Sequence, residues 1–316
     1  MSATERKLRD HPTTILSTAK RNTTRRRVLS ILTPYLFLLP ALIPYTVFVI
    51  YPICASVVLS LYRWDGISAT RQFIGLSNFK ETLSGDPVFW LSFNNNVKWT
   101  ILSLILPILL GFLFSLYFGR DLKGFGVYRS VIYFPAILST AMIAQLFRWI
   151  YDPNIGVINQ VVQKVMPGQF FDWQANPNNV ILYVAIAGSW GYSAFCMLLF
   201  INGMRAIPEE IYEAARLDGA SRLQAVWHVT IPLLRNTTNV VVTSTIIFSL
   251  QVFDYIILLT GGGPGHSTSV LATWAYAQFF NYYSVGNGTA IAVLLALMCI
   301  GPAILSQWLA ARTNDY

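Results

Sequence analysis

Six long apolar stretches organise this chain of 316 residues, at about 30–60, 97–118, 130–150, 179–203, 233–259 and 288–310. Each approaches or exceeds the roughly 20 mostly apolar residues that a helix needs to cross a bilayer. Inside lipid every backbone N–H and C=O must be paired within its own segment, so the pattern predicts an all-α integral membrane protein whose six transmembrane segments form a helical bundle, not sheets. The first stretch is long enough to include an extension or a tilt. It begins only after thirty residues, outruns the about 7–15 residues of a signal-peptide core and has no small-residue cleavage site, so a retained helix is expected.

The polar stretches between them alternate in size. One outer loop, 62–96, is long and carries Gly66, Gly75, Gly85 and Pro87. A second, 151–178, holds the turn formers YDPNIG, MPGQ and QANPNN. Interleaved with them, Val157, Ile158, Val161, Val162 and Val165 fall at helical spacing and predict a short helix lying on the outer surface. The inner loop 119–129 is short and Gly-rich, which makes the second and third segments antiparallel neighbours. No repeat of 20–50 residues and no separate soluble domain is visible.

Composition agrees with a lipid setting. The chain is 54% hydrophobic and 11% charged, with mean hydropathy +0.51, against about 25% charge in an ordinary soluble domain. The net charge of +8 would suit nucleic acid, but its placement reads as topology. Eight of the 22 Lys and Arg residues precede residue 30: Arg6, Lys7, Arg9, Lys20, Arg21, Arg25, Arg26 and Arg27. Arg120, Lys123, Arg129, Arg205, Arg216, Arg222, Arg235 and Arg312 share that side, against Arg63, Arg71, Lys80, Lys98, Arg148 and Lys164 opposite. The positive-inside rule then puts both termini and the 119–129 and 204–232 loops in the cytoplasm. The expected organisation is a basic cytoplasmic arm 1–29, a transmembrane domain 30–310 and a cytoplasmic tail 311–316. Cys54, Cys196 and Cys299 lie within apolar segments and read as small buried hydrophobes, with no disulfide or metal site implied.

Two apolar segments carry polar groups. Gly188-Ser189-Trp190-Gly191-Tyr192-Ser193 occupies the middle of the fourth. Small and hydroxyl residues allow close helix packing in membranes; a face toward a polar pathway, with Tyr and Trp stacking on a passing solute, is the other reading. In the fifth, Gln251, Asp254 and Tyr255 at i, i+3 and i+4 are expected on one helical face. An intramembrane carboxylate is a functional candidate by default, and an ion pair or cap at the mouth is the structural alternative.

Between these two segments the chain becomes polar and helix-forming. Pro208 suits a first helical turn, and Glu209 and Glu210 complement the positive helix end. Ile207, Ile211, Ala214 and Ala215 give one apolar-to-small face, and Gly219 ends the run as a left-handed residue. Ser221 caps a second short helix reaching Val229, and Pro232 opens the fifth segment. Helix, glycine turn and helix make a wedge whose small residues allow a partner to approach closely; an ordinary interfacial loop is the bland alternative.

The stretch resembles the EAA motif of ABC-importer permeases: EAA, three residues, Gly, nine residues, then I-x-L-P. Here it stands as Glu213-Ala214-Ala215, Gly219 and Val229-Thr230-Ile231-Pro232, with Val for Ile and Ile for Leu. DGA at 218–220, FIGLSNF (73–79), YRSVIYFPAILS (128–139), FRWIYDPNIGVIN (147–159) and LLTGGGPGHST (258–268) resemble the carbohydrate-uptake branch, in the family's order over most of 35–310. The GGGP segment is similar to the maltose-type F-like first permease. The resemblance implies a type I importer fold with a second homologous permease, two ATPase subunits that bind ATP and Mg, and an extracytoplasmic sugar-binding protein. It implies coupling contacts at Glu213, Ala214, Ala215, Asp218, Gly219 and Pro232. It also implies a substrate pathway at Trp190, Tyr192, Phe195, Gln251, Asp254 and Tyr255.

TGGGPGHS (260–267) superficially resembles a phosphate-binding loop, but that pattern needs Gly and Lys where this chain has Thr260 and His266. The chain is therefore not expected to hydrolyse ATP, and the energy source is a partner. His11, His228 and His266 are scattered, which argues against a metal site. Two other classes compete: an ion-coupled transporter acting alone, which calls for internal repeats and buried carboxylates, and a membrane scaffold without a pathway.

Overall fold

The computed structural model describes residues 33, 35, 37–118 and 125–313. The arm 1–29, residues 119–124 of the inner loop and the last three residues lie outside them. By contacts the chain divides at Ser56 and Val57 into two units. The first contains most of helix α1 (Phe37–Leu59), which is long and apolar enough to cross a membrane.

The second unit begins with a small antiparallel pair, β1 (Tyr62–Arg63) and β2 (Gln72–Phe73), with Tyr62 opposite Phe73. Asp65 closes the connecting loop by accepting from the Ser68 hydroxyl and from the Ser68 and Ile67 amides. These donors, the Ser68 hydroxyl foremost, lower its carboxyl to about 2. Helix α2 (Ser77–Gly85) follows and is tied back by Asn78, whose amide donates to the Ser60 and Tyr62 carbonyls.

Helix α3 (Pro87–Phe118) starts ten residues before the expected second segment. Its 32 residues measure about 48 Å, well beyond a hydrocarbon core of roughly 30 Å. The extra turns carry Asn94, Asn95 and Asn96, which is why hydropathy alone places the boundary too late. The third expected segment is not one straight helix. It is α4 (Phe125–Ile137) and α5 (Thr140–Ile150), with the apolar pair Ser130–Ile137 and Thr140–Ile150 bent by 105°. Ser139 is extended and its hydroxyl accepts from Met142 N, so a new helix is capped where a continuous one was expected. The short helix expected from the valine spacing is present as α6 (Val157–Val165). Helix α7 (Val180–Arg205) is the fourth segment.

The polar stretch folds as α8 (Glu209–Leu217), α9 (Arg222–Ala225), a π-helical turn at Val226–Thr230 and the single turn α10 (Ile231–Leu233). The fifth segment is α11 (Arg235–Leu250), a break, and α12 (Asp254–Leu259). After the glycine-rich loop come α13 (Leu271–Phe280) and α14 (Val285–Thr313). Over the described residues all six apolar stretches are mainly helical. Among the described residues α1, α3, α7 and α14 hold single-helix spans, and the apolar α4–α5 pair brings the number to five when the bent pair is counted as one span. The α11–α12 stretch is divided and α11 alone is short.

Helices α3 and α7 form the most extensive pair. Their backbones touch at Gly111, where a Cβ would lie 2.5 Å from Cys196 Cβ and 2.8 Å from the Ser193 carbonyl oxygen. Small residues are what permits such an approach in membranes. Overpacking of this kind costs about 1–3 kcal/mol or more. Gly111→Val should accordingly lower the melting temperature of the detergent-purified protein, whereas Gly301→Val, at a position where an added Cβ would meet no atom within 4 Å, should leave it unchanged. One core, built on Trp99, Phe147, Val184 and Ile256, joins α3, α5, α7 and α12. A second, on Phe89, Leu271, Trp274 and Ile291, joins α3, α13 and α14.

Candidate functional site

The first candidate site forms where α11 stops. Gln251 and Phe253 depart from helical geometry, at φ −92°, ψ 12° and φ −142°, ψ −58°. A free carbonyl in lipid would be expensive, and irregular backbone is tolerated at membrane depth only inside protein or beside a cavity. Both conditions hold here. The Leu250 carbonyl accepts from Asn96 Nδ2 at 3.2 Å, and Asn96 Oδ1 accepts from Leu271 N at 2.8 Å. One buried side chain of α3 therefore satisfies the end of α11 and the start of α13. Its neighbour Asn95 donates to the Ser267 and Ser269 carbonyls at 2.9 and 3.0 Å.

The break opens a cavity of about 250 Å³. Trp99 and Ser103 line it from α3, Thr140 from α5, and Ser189 and Tyr192 from α7. Thr245, Phe248, Ser249, Gln251, Phe253, Asp254 and Tyr255 come from the broken segment. Gly188 makes room for Trp99, since a Cβ there would lie 3.1 Å from the Trp99 ring. The Trp99 and Tyr255 rings stand 6.2 Å apart. Ser249 Oγ lies 3.1 Å from Thr100 Oγ1, and Tyr192 OH 3.4 Å from Thr245 Oγ1. Among the described residues the lining thus mixes aromatic faces with hydroxyls, one amide and one carboxylate, and holds no Lys, Arg or His.

Of the six residues expected along a substrate pathway, Tyr192, Gln251, Asp254 and Tyr255 reach this cavity. The latter three do so from either side of a break, so the shared face of one continuous helix does not exist. Trp190 points elsewhere: it packs edge-on against Phe147, ring centroids 5.8 Å apart, at the border of the core. Phe195 is also outside the lining and lies tilted against Tyr192 at 5.5 Å. Trp99, Ser103, Thr140, Thr245 and Ser249 were not anticipated. The available signal was the regular scatter of Ser and Thr through apolar segments, which by itself does not distinguish a packing hydroxyl from a lining one.

The second candidate site is the polar hairpin. Pro208 caps α8, one position before the helix that it was expected to begin. At the other end Ala220 N donates to the Ala215 carbonyl and Gly219 N to the Arg216 carbonyl. Gly219 takes φ +81°; this is the Schellman closure, which favours glycine for want of a Cβ. Ser221 and Gln224 then form a reciprocal capping box. The proline does not open the fifth helix directly. Pro232 has no N–H to donate, and the chain passes through a π turn and α10 before α11 begins at Arg235. Tyr212 OH lies 3.2 Å from Thr230 Oγ1 and pins α8 to that turn. Glu213, Ala214, Asp218 and Gly219 are exposed, Ala215 and Pro232 being half-buried or exposed beside them. Leu217 (89% exposed), Leu223 and Trp227 also stand free.

Thr260 and Thr268 brace the glycine-rich loop. Thr260 Oγ1 and Thr268 Oγ1 close it at 2.7 Å, and the Gly262 and Gly263 carbonyls accept from Thr268. Among the described residues no cluster of three His, Cys, Asp or Glu could hold a metal.

Three comparisons agree. A "Probable ABC transporter permease protein YurN" of Bacillus subtilis is 34% identical over 277 residues, 87% of this chain and 94% of that protein. The "Trehalose/maltose transport system permease protein MalF" of Thermococcus litoralis is 33% identical over 86% of this chain and 91% of its own length. Among solved structures, a bacterial alginate ABC transporter in complex with an alginate pentasaccharide-bound periplasmic protein superposes with TM-score 0.80 at 20% identity, over 91% of this chain and 98% of that one. The fold is that of a type I ABC importer permease. Such permeases are membrane components and not enzymes. Residues 12–315 match a family described as "Binding-protein-dependent transport system inner membrane component", and the chain belongs to that family.

Proposed function

We propose that this chain is one of two homologous permease subunits of an ATP-driven carbohydrate importer. A binding protein delivers a sugar, oligosaccharide or polyol to the outer side. Two ATPase subunits, binding ATP and Mg, dock from the cytoplasm on the hairpin around Glu213, Ala214, Ala215, Asp218, Gly219 and Pro232. The arm 1–29, the loop 204–232 and the tail 311–316 lie on that inner side, as the distribution of Lys and Arg favours.

The cavity at the α11–α12 break is the observation that carries the reading. Aromatic rings of Trp99, Tyr192, Phe248 and Tyr255 supply faces for the apolar side of a sugar ring, while Gln251, Asp254 and the hydroxyls supply partners for its OH groups. Its 250 Å³ falls below the roughly 300–1,000 Å³ of sites that enclose a small molecule, which fits one wall of a pathway shared with a second permease. Relatives named for trehalose/maltose and arabinooligosaccharide transport support a carbohydrate.

Reconstitution in proteoliposomes separates this reading from a transporter acting alone. The chain with its partner permease and ATPase subunits should accumulate sugar only with binding protein outside and ATP inside. Accumulation by the purified chain alone under an ion gradient, without ATP, would refute the proposal.

A further inference from the structure

We propose that α6 is an interfacial helix, seated in the outer headgroup region with one flank in lipid, one in water and its underside on the protein. At ~100° per residue, its apolar side chains fill a single arc of roughly 140°. Half of that arc is satisfied by the protein: Ile158 and Val162 face inward, and Ile158 packs against the core. The rest is not. Val157, Val161 and Val165, at i, i+4 and i+8, are 59, 55 and 70% exposed, and Met166 and Phe170 extend the row. Gln160, Gln163 and Lys164 occupy the other exposed flank.

The helix is fixed in this attitude. Asn159, buried between the flanks, donates to the Phe171 carbonyl at 2.8 Å and accepts from Phe171 N at 2.7 Å, clamping the returning loop beneath α6. Rotation that would hide the valines would break both bonds.

Lipid is the occupant that the surroundings favour. Only six residues separate the row from the exposed end of an apolar span: Arg148 and Trp149 stand exposed in the last turn of α5, the residue types that anchor a span at the headgroup level. Lys164 can lay its stem along the valine row and keep its ammonium in the phosphate zone. Three valines also supply apolar area without the Trp, Tyr or Arg anchors that dominate protein interfaces. A helix of this pattern buries its apolar flank about 5–10 Å into the headgroup–acyl boundary. The proposed topology enters only in naming the leaflet as the outer one.

Single-cysteine labelling of the full complex in lipid nanodiscs tests this, in a background lacking Cys54, Cys196 and Cys299. An environment-sensitive fluorophore at Val161→Cys or Val165→Cys should be quenched severalfold by a shallow spin-labelled phospholipid and hardly by aqueous iodide. Gln163→Cys should show the reverse. Iodide quenching at Val161 equal to that at Gln163 would overturn the proposal, and so would insensitivity to both quenchers, which would mean that a protein subunit covers the row. Since the readout needs no transport, it stands or falls separately from the importer reading.

Discussion

Gly219→Trp is expected to abolish binding-protein-stimulated ATP hydrolysis and uptake together, while the permease still folds and reaches the membrane. The residue sits at φ +81°, and no atom lies within 4 Å of where its Cβ would be. Among the described residues the Cβ position is open, so an indole can project toward a partner docked on the hairpin. Any L-residue in the left-handed region also carries strain of roughly 1–2 kcal/mol, so a second variant is needed to separate strain from bulk. Asparagine tolerates this conformation better than other side chains, and Gly219→Asn should retain most of the activity. For the tryptophan variant a loss of tenfold or more is expected, equivalent to ~1.4 kcal/mol of docking free energy. Stimulated hydrolysis that stayed normal in Gly219→Trp would remove the hairpin from the coupling path.

The second large effect lies at Asn96. Its side chain is the partner of the Leu250 carbonyl and of the Leu271 amide, both buried. Leucine would leave both groups unpaired, at about 1–3 kcal/mol each. Asn96→Leu should therefore lower the melting temperature of the purified complex and depress uptake, because the break between α11 and α12 that shapes the cavity loses its anchor. Asn95→Leu offers the comparison. It strips partners from the Ser267 and Ser269 carbonyls, but those belong to a connecting loop, where one bond is only part-buried and water can take over. Its effect should be smaller. Equal melting temperatures for wild type and Asn96→Leu would show that the break is held by packing alone.

The asparagines also illustrate where reading the sequence stops. Apolar length is local information, and over the described residues all six stretches are mainly helical, two of them broken. So are the proline, glycine and serine signals of the hairpin, which returned a capped helix, a left-handed Gly219 and a capping box at Ser221. The valine spacing at 157–165 likewise announced α6. Hydropathy failed where a helix end is satisfied by a distant residue. Asn96 lies 154 positions before Leu250, and no window along the chain relates them. The bend at Ser139 and the break at Gln251–Phe253 fall inside runs that stay apolar on average, so hydropathy does not mark them.

The residues proposed for the pathway divide along the same line. Tyr192, Gln251, Asp254 and Tyr255 carry polar atoms in apolar segments, which made them visible, and they reach the cavity. Trp190 is equally conspicuous but turns to Phe147, since two positions along a helix face different ways and only the packing of α5 against α7 decides which way is inward. Trp99 lines the cavity because Gly188 on another helix leaves it room. By itself, then, the sequence determined the medium, the helices and the wedge, all properties of short-range pattern and chain chemistry. Tertiary structure alone decided where helices break, which side chains meet at the break and which flank of α6 is left uncovered, because each depends on satisfying backbone groups and filling space between segments far apart in the chain.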